Sequence, residues 1–171
     1  MKSICVVRLV VVIVMFSATA ATASAAESTG AGYIERVAAE HAGDRPEANV
    51  RQSSAGIDAG ELDYATIDGA PVTGYLARPG DQDGPLPAVI LIHEWWGLND
   101  NIRGMARRLA AAGYVALAVD LYRGETAEDP DAARRLMQQA MARPDAVREN
   151  LRQAFFYLDV MPSADRIGTI G

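Results

Sequence analysis

Two short segments gather the side chains with the most chemical potential. One is His93-Glu94-Trp95-Trp96-Gly97-Leu98-Asn99 and the other is Asp120-Leu121-Tyr122-Arg123-Gly124-Glu125, and each directly follows an apolar run. A His-Glu pair raises the question of zinc, but H-E-x-x-H needs a second histidine one helical turn on so that both imidazoles face the metal, and position 97 is glycine. No metal site is read here. A loop leaving a strand can instead serve acyl transfer, because a backbone N–H aimed from it meets the negative charge that develops on a carbonyl oxygen. Trp95 is the residue placed to donate that N–H, with the Glu94 carboxylate beside it. The structural alternative is that the two tryptophans cap the end of a sheet, which large aromatics do readily. In the second segment Arg123 can grip a substrate carboxylate in a charge-assisted fork, or pair with Asp120 or Glu125 on the surface. Trp96, Tyr122 and Arg123 are the candidate substrate-binding side chains.

The elements around these segments follow from hydrophobic period. Leu62, Tyr64 and Thr66 alternate with Asp63, Ala65 and Ile67, Asp68-Gly69 marks a turn, and Val72 to Ala77 resumes extended, which predicts an antiparallel hairpin. After a Gly/Pro/Asp loop from Pro79 to Pro87, Ala88 to Ile92 is a continuous apolar run, as expected of a parallel strand covered on both faces. Ile102, Met105, Ala106 and Leu109 form one face of a helix that Asn99 or Asp100 caps and Gly113 closes in a left-handed conformation. Tyr114 to Val119 is the next strand. Asp129 and Pro130 open a helix with Ala133, Leu136, Met137, Ala140 and Met141 on its buried face, and Arg143-Pro144 stops it. Val147, Leu151, Ala154, Phe155 and Leu158 make a further helical stripe ending near Met161-Pro162. The order of hairpin, strand, helix, strand, two helices and strand is the first half of a doubly wound α/β sheet, in which reactive groups gather beyond the carboxyl ends of the parallel strands.

The last six residues, Arg166-Ile-Gly-Thr-Ile-Gly171, read as a buried strand running into a glycine. In an α/β-hydrolase such a strand leads to the nucleophile elbow, a strained turn of the form G-x-nucleophile-x-G. On this reading the mostly parallel sheet is truncated before the elbow, and the nucleophile, histidine and aspartate of a triad are not among these residues.

At the other end, Lys2 and Arg8 flank a basic start, Leu9 to Phe16 is unbroken apolar sequence, and Ala23-Ser24-Ala25 supplies a small-x-small cleavage pattern. Residues 1–25 read as a signal peptide, too short in its apolar run to span a bilayer, and the mature protein is expected in the periplasm or secreted. The single cysteine, Cys5, leaves with it. Loss of Lys2 and Arg8 takes the formal net charge from −6 to −8, an acidity that argues against nucleic-acid and polybasic membrane-surface roles. Residues 26–60 are read as an extension, with a short helix over Tyr33 to Gly43 and a polar linker from Asp44 to Gly60, and His41 as a solvated helix residue. Residues 61–171 form the domain.

The segments Pro87 to Asn99, Gly113 to Tyr122 and Arg166 to Gly171 together resemble the dienelactone hydrolases, also called carboxymethylenebutenolidases, over roughly residues 61–171. The resemblance implies an α/β-hydrolase that opens a small-molecule lactone or ester through an acyl-enzyme with a Cys-His-Asp triad, without metal or cofactor. It implies that Glu94 is similar to the glutamate that holds the resting thiol, that Trp95 occupies the oxyanion-donor position, and that Gly171 matches the first elbow glycine, with the cysteine two residues further on. Neither His41 nor His93 falls where the base belongs. Arg123 stands one position nearer the Asp-Leu-Tyr than the arginine of well-known members. Two further readings stand beside this one: an esterase or peptidase of the same fold with a serine nucleophile, and a non-catalytic periplasmic binding module.

Overall fold

The computed structural model describes residues 56–81 and 84–171, with position 39 alone before them. The signal segment, Cys5, the helix read over Tyr33 to Gly43 and His41 lie outside the described residues. Within them the chain runs β1 (Ile57–Ile67), β2 (Ala70–Pro79), β3 (Leu86–Leu91), α1 (Asp100–Ala111), β4 (Val115–Ala118), α2 (Pro130–Met141), α3 (Pro144–Asp159) and β5 (Ala164–Ile170). The strands make one sheet in the order β1-β2-β4-β3-β5. β1 with β2 and β2 with β4 are antiparallel, whereas β3 runs parallel to both β4 and β5. This is the α/β-hydrolase arrangement that the sequence predicts, a hairpin followed by parallel crossover units.

The hairpin turn places Asp68 at φ 54° and Gly69 at φ 79°. Two consecutive positive φ values suit the twist of flanking strands, and Asp-Gly is a pair that tolerates them. β1 begins earlier than the sequence suggests: Ile57 to Gly60, read as linker, are paired with β2, Ile57 opposite Pro79. Polar composition hid a strand whose partner supplies the pattern. The register slips between Asp63 and Ala65, so Tyr64 is an extra residue in a bulge, and burial passes from Tyr64 to Ala65 and Ile67 while Thr66 turns outward. Simple alternation put Thr66 on the face of Tyr64; the inserted residue reverses the faces.

Both faces of the sheet are covered, which is why β4 is buried along its whole length. Val115, Leu117 and Val119 point into one core with Ile90, Ala154 and Leu158, against α3. Ala116 and Ala118 point the other way, into a core with Ala77, Leu91, Ile102, Ala106 and Ala110, against α1. Asn99 caps α1 by accepting the Ile102 N–H, and Gly113 follows the helix at φ 91°. Asp129 accepts the Ala132 N–H at 2.8 Å and Pro130 fills the first position of α2, as read from sequence. β5 stands at the end of the sheet. Its sequence reads as a buried strand whose Ile167 and Ile170 become an uncovered apolar edge where it ends the sheet, and it does form one edge of the described sheet, beside β3, with most of its residues exposed, Ile170 by 48%.

Candidate functional site

The carboxyl ends of β3, β4 and β5 come together at one rim of the sheet. β3 passes into His93, which is buried. The Leu121 N–H donates to His93 Nε2 at 3.1 Å, so the proton sits on Nδ1, which faces the Glu94 carbonyl at 2.6 Å. Burial lowers the imidazole's pKa, opposed by the Glu94 carbonyl and the Asp120 charge. With both nitrogens engaged and the ring edge-on to Tyr122 at 4.6 Å, His93 is a neutral tie between the two loops, not a base. The burial around it also pushes the Tyr122 hydroxyl up to about 12.

Beyond His93 the chain turns sharply. Glu94 is exposed, and its carbonyl accepts the Gly97 N–H at 3.2 Å. Gly97 sits at φ 87°, and a Cβ there would lie 2.6 Å from the Glu125 carbonyl oxygen, so this loop and the loop after β4 meet where no side chain fits. The Trp95 and Trp96 rings lie 5.0 Å apart at 58°, buried with Ala127, Ala133 and Leu136 of the α2 region. The Trp96 carbonyl accepts the Ala127 N–H at 3.0 Å. Both indoles therefore pack the end of the sheet, the structural role held open for them, while Glu94 remains at the surface.

The second loop is built on Asp120. Its buried carboxylate accepts the N–H groups of Tyr122, at 2.8 Å, and of Gly124, which holds Arg123 and Gly124 at φ 59° and 89°. That commitment removes Asp120 as an ion-pair partner. Arg123 instead reaches the turn between β1 and β2, where Asp68 Oδ2 accepts its guanidinium at 2.6 Å and accepts Arg143 as well. The sequence offered Asp120 and Glu125 as surface partners; the fold substitutes a residue 55 positions away. Beneath this triplet lies a cavity of about 350 Å³ lined by Ile67, Leu121, Tyr122, Arg123, Arg143 and Asn150, among others. Tyr122 and Arg123 line it and Glu94, Trp95 and Trp96 do not.

Two contributors went unread in the sequence. Asn150 sits within the α3 stripe, one turn after Val147 and before Ala154, and is buried. It accepts the Tyr64 hydroxyl at 2.5 Å and donates to the Asp120 carbonyl at 2.8 Å, while the Tyr64 oxygen also accepts the Asp120 N–H at 3.2 Å. Desolvation drives the Tyr64 pKa far up, so it remains a neutral donor. The bulge in β1 thus aims a hydroxyl at the backbone of the loop that carries Arg123. The signal for Asn150 was a polar residue on an apolar helical face.

At the third strand end, the Ile92 N–H donates to the Ile170 carbonyl at 2.8 Å. Gly171 then lies so close to Ile92 that a Cβ would come within 2.9 Å of the Ile92 Cβ. The exit of β5 is therefore directly beside the residue that precedes His93 and Glu94.

Residues 72–171 match the sequence pattern of the Dienelactone hydrolase family. The chain belongs to the dienelactone hydrolase family. Among relatives, the protein usf of Aquifex pyrophilus is 42% identical over 87 residues, covering 47% of this chain and 36% of that protein. The solved structure m3DLH is 34% identical with a TM-score of 0.60, over 68% of this chain and 49% of its own. The dienelactone hydrolase-like promiscuous phosphotriesterase P91, from metagenomic libraries, is 29% identical with a TM-score of 0.59, over the same shares. This dienelactone hydrolase family member spans about a third of the length of the curated relatives it matches.

Proposed function

We propose that the protein hydrolyses an ester or lactone bond of a small molecule through an acyl-enzyme, and that residues 61–171 supply the front half of that site. The observation that carries the reading is the convergence at the rim: β5 leaves the sheet at Gly171 against Ile92, immediately before the Glu94-Trp95 loop. A thiol two residues past Gly171 would rise next to that loop, with Glu94 as the partner of the resting sulfur. Attack of the thiolate on the carbonyl carbon makes a tetrahedral oxyanion, for which the Trp95 backbone N–H and the N–H after the nucleophile are the donors. Its collapse expels the alkoxide, which takes a proton from the triad histidine, and water then releases the acid from the thioester. No metal or cofactor takes part. Trp96 acts by packing the loop, and Tyr122 and Arg123 by shaping the wall on the β4 side.

These 171 residues hold one cysteine, Cys5, and two histidines, His41 and His93, and His93 is locked. Loss of a whole triad leaves at most binding and part of an oxyanion hole, so the chain alone is expected to show no hydrolase activity above background. After signal removal the protein works in the periplasm or outside the cell, with neither nucleic acid nor membrane as partner.

The test is to read the coding sequence past codon 171 and assay the gene's product on a lactone and on p-nitrophenyl acetate. A cysteine at the second position after Gly171, with turnover lost on removing its thiol, supports the reading; serine there moves it to a serine esterase. A turn with neither thiol nor hydroxyl, or a stop codon with a stably folded product, overturns it in favour of a binding module.

A further inference from the structure

The two ring nitrogens of His93 hold two different loops. Nδ1 carries the proton and donates to the Glu94 carbonyl at 2.6 Å, while Nε2 accepts the Leu121 N–H at 3.1 Å. The first contact reaches beyond the carbonyl itself. The Glu94 C=O and the Trp95 N–H are the two ends of one planar trans peptide, so they point in opposite directions. A proton that fixes the carbonyl on one side therefore fixes the aim of the N–H on the other. The Gly97 N–H reaches the same carbonyl at 3.2 Å, so the imidazole makes the shorter of the two contacts. The ring has little freedom of its own. It is 7% exposed, Tyr122 packs edge-on against it at 4.6 Å, and burial favours its neutral form against the pull of the Asp120 charge.

We propose that His93 is a positioning residue for the hydrolytic chemistry, its Nδ1 proton holding the peptide between residues 94 and 95 so that the Trp95 N–H faces the oxyanion. The inference rests on the ester or lactone reading above and adds a residue that the reading leaves without a part in the reaction. Negative charge builds on the substrate oxygen only as the tetrahedral intermediate forms, so a misaimed donor costs rate and spares ground-state binding. Rotation of the peptide is worse than mere loss of the donor, because the Glu94 carbonyl oxygen would then turn its negative end toward the developing charge. The Nε2 contact has a separate task. It joins the loop after β4 to the loop after β3 and contributes to stability.

Two amides separate these contacts, since an asparagine side chain places its amide nitrogen near the position of Nδ1 and a glutamine side chain places its amide near that of Nε2. His93→Gln keeps an acceptor for the Leu121 N–H and loses the Glu94 contact, and His93→Asn does the reverse. The gene's product and both variants are assayed on p-nitrophenyl acetate, with a urea melt of each. In His93→Gln kcat and kcat/KM are expected to fall together by about tenfold or more with KM unchanged, short of the roughly 10²–10³ of a deleted oxyanion donor because Gly97 still holds the carbonyl. His93→Asn should restore most of that rate and show the lower urea midpoint. Equal rates in the two variants, or a loss that falls on KM, overturns the inference and leaves hydrolysis standing; an inactive wild type overturns both. Nitrogen-15 histidine spectra of the 171-residue chain supply a readout that needs neither turnover nor a folded variant. His93 is expected with Nδ1 protonated and Nε2 bare at neutral pH, and the opposite tautomer overturns the inference, since a bare Nδ1 repels the Glu94 carbonyl.

Discussion

Gly97 and Gly124 sit at nearly the same positive φ, 87° and 89°, yet a side chain would meet different surroundings at each. At Gly124 nothing lies within 4 Å, so alanine pays only the left-handed strain of about 1–2 kcal/mol. At Gly97 the same strain adds to a clash with the Glu125 backbone, so Gly97→Ala should be destabilising by clearly more than Gly124→Ala in urea melts. Equal losses would mean that the two loops do not touch as described. Asn150→Ala takes the shorter partner from the Tyr64 hydroxyl and the Asp120 carbonyl and leaves them only their own contact at 3.4 Å, and about 2–3 kcal/mol should be lost, the sum of a cavity and poorly satisfied buried groups. His93 sets a pH dependence. Its pKa is depressed in the folded protein, so the unfolded chain binds the proton first as pH falls. The contribution is complete above an ordinary histidine pKa of about 6.5 and declines as pH drops through it toward the folded value. Melting temperatures between pH 7 and 5 should fall more for wild type than for His93→Gln. At this scale the sequence revealed which residues were unusual but not whom they touch. Arg123 was visible; Asp68 and Arg143, its neighbours in space, were separated from it by a turn and a helix junction that only the folded chain brings together.

Elements were far more legible than contacts, because period and punctuation are local. Continuous apolar runs announced β3 and β4, and Asp129-Pro130 announced the start of α2 with its cap bond in place. Asn99→Ala should remove the corresponding bond at α1 and cost about 1 kcal/mol in thermal or urea unfolding. What stayed hidden were features that depend on a neighbouring strand: the paired residues Ile57 to Gly60 and the bulge at Tyr64. β5 is the element with the clearest solution phenotype. Its outer edge presents Ile170 at 48% exposure, and an open apolar strand edge recruits other chains. Light scattering of the 171-residue chain should rise with concentration, and Ile170→Lys should reduce it; a monodisperse wild type at high concentration would refute this.

For the molecule as a whole, the same sheet that gathers three strand ends at one rim is upholstered differently on its two sides. Leucine, isoleucine and valine fill the side under α3, where one aliphatic shape substitutes for another with modest loss. Under α1 five alanines, Ala77, Ala106, Ala110, Ala116 and Ala118, all within 1% of complete burial, sit among Leu91, Leu98 and Ile102, and an added methylene at the alanines has little room. Under random mutagenesis with selection for folding, the aliphatic positions under α3 should accumulate variants freely while the five alanines under α1 stay almost invariant, so the protein would carry its history on one side and its tightest constraint on the other.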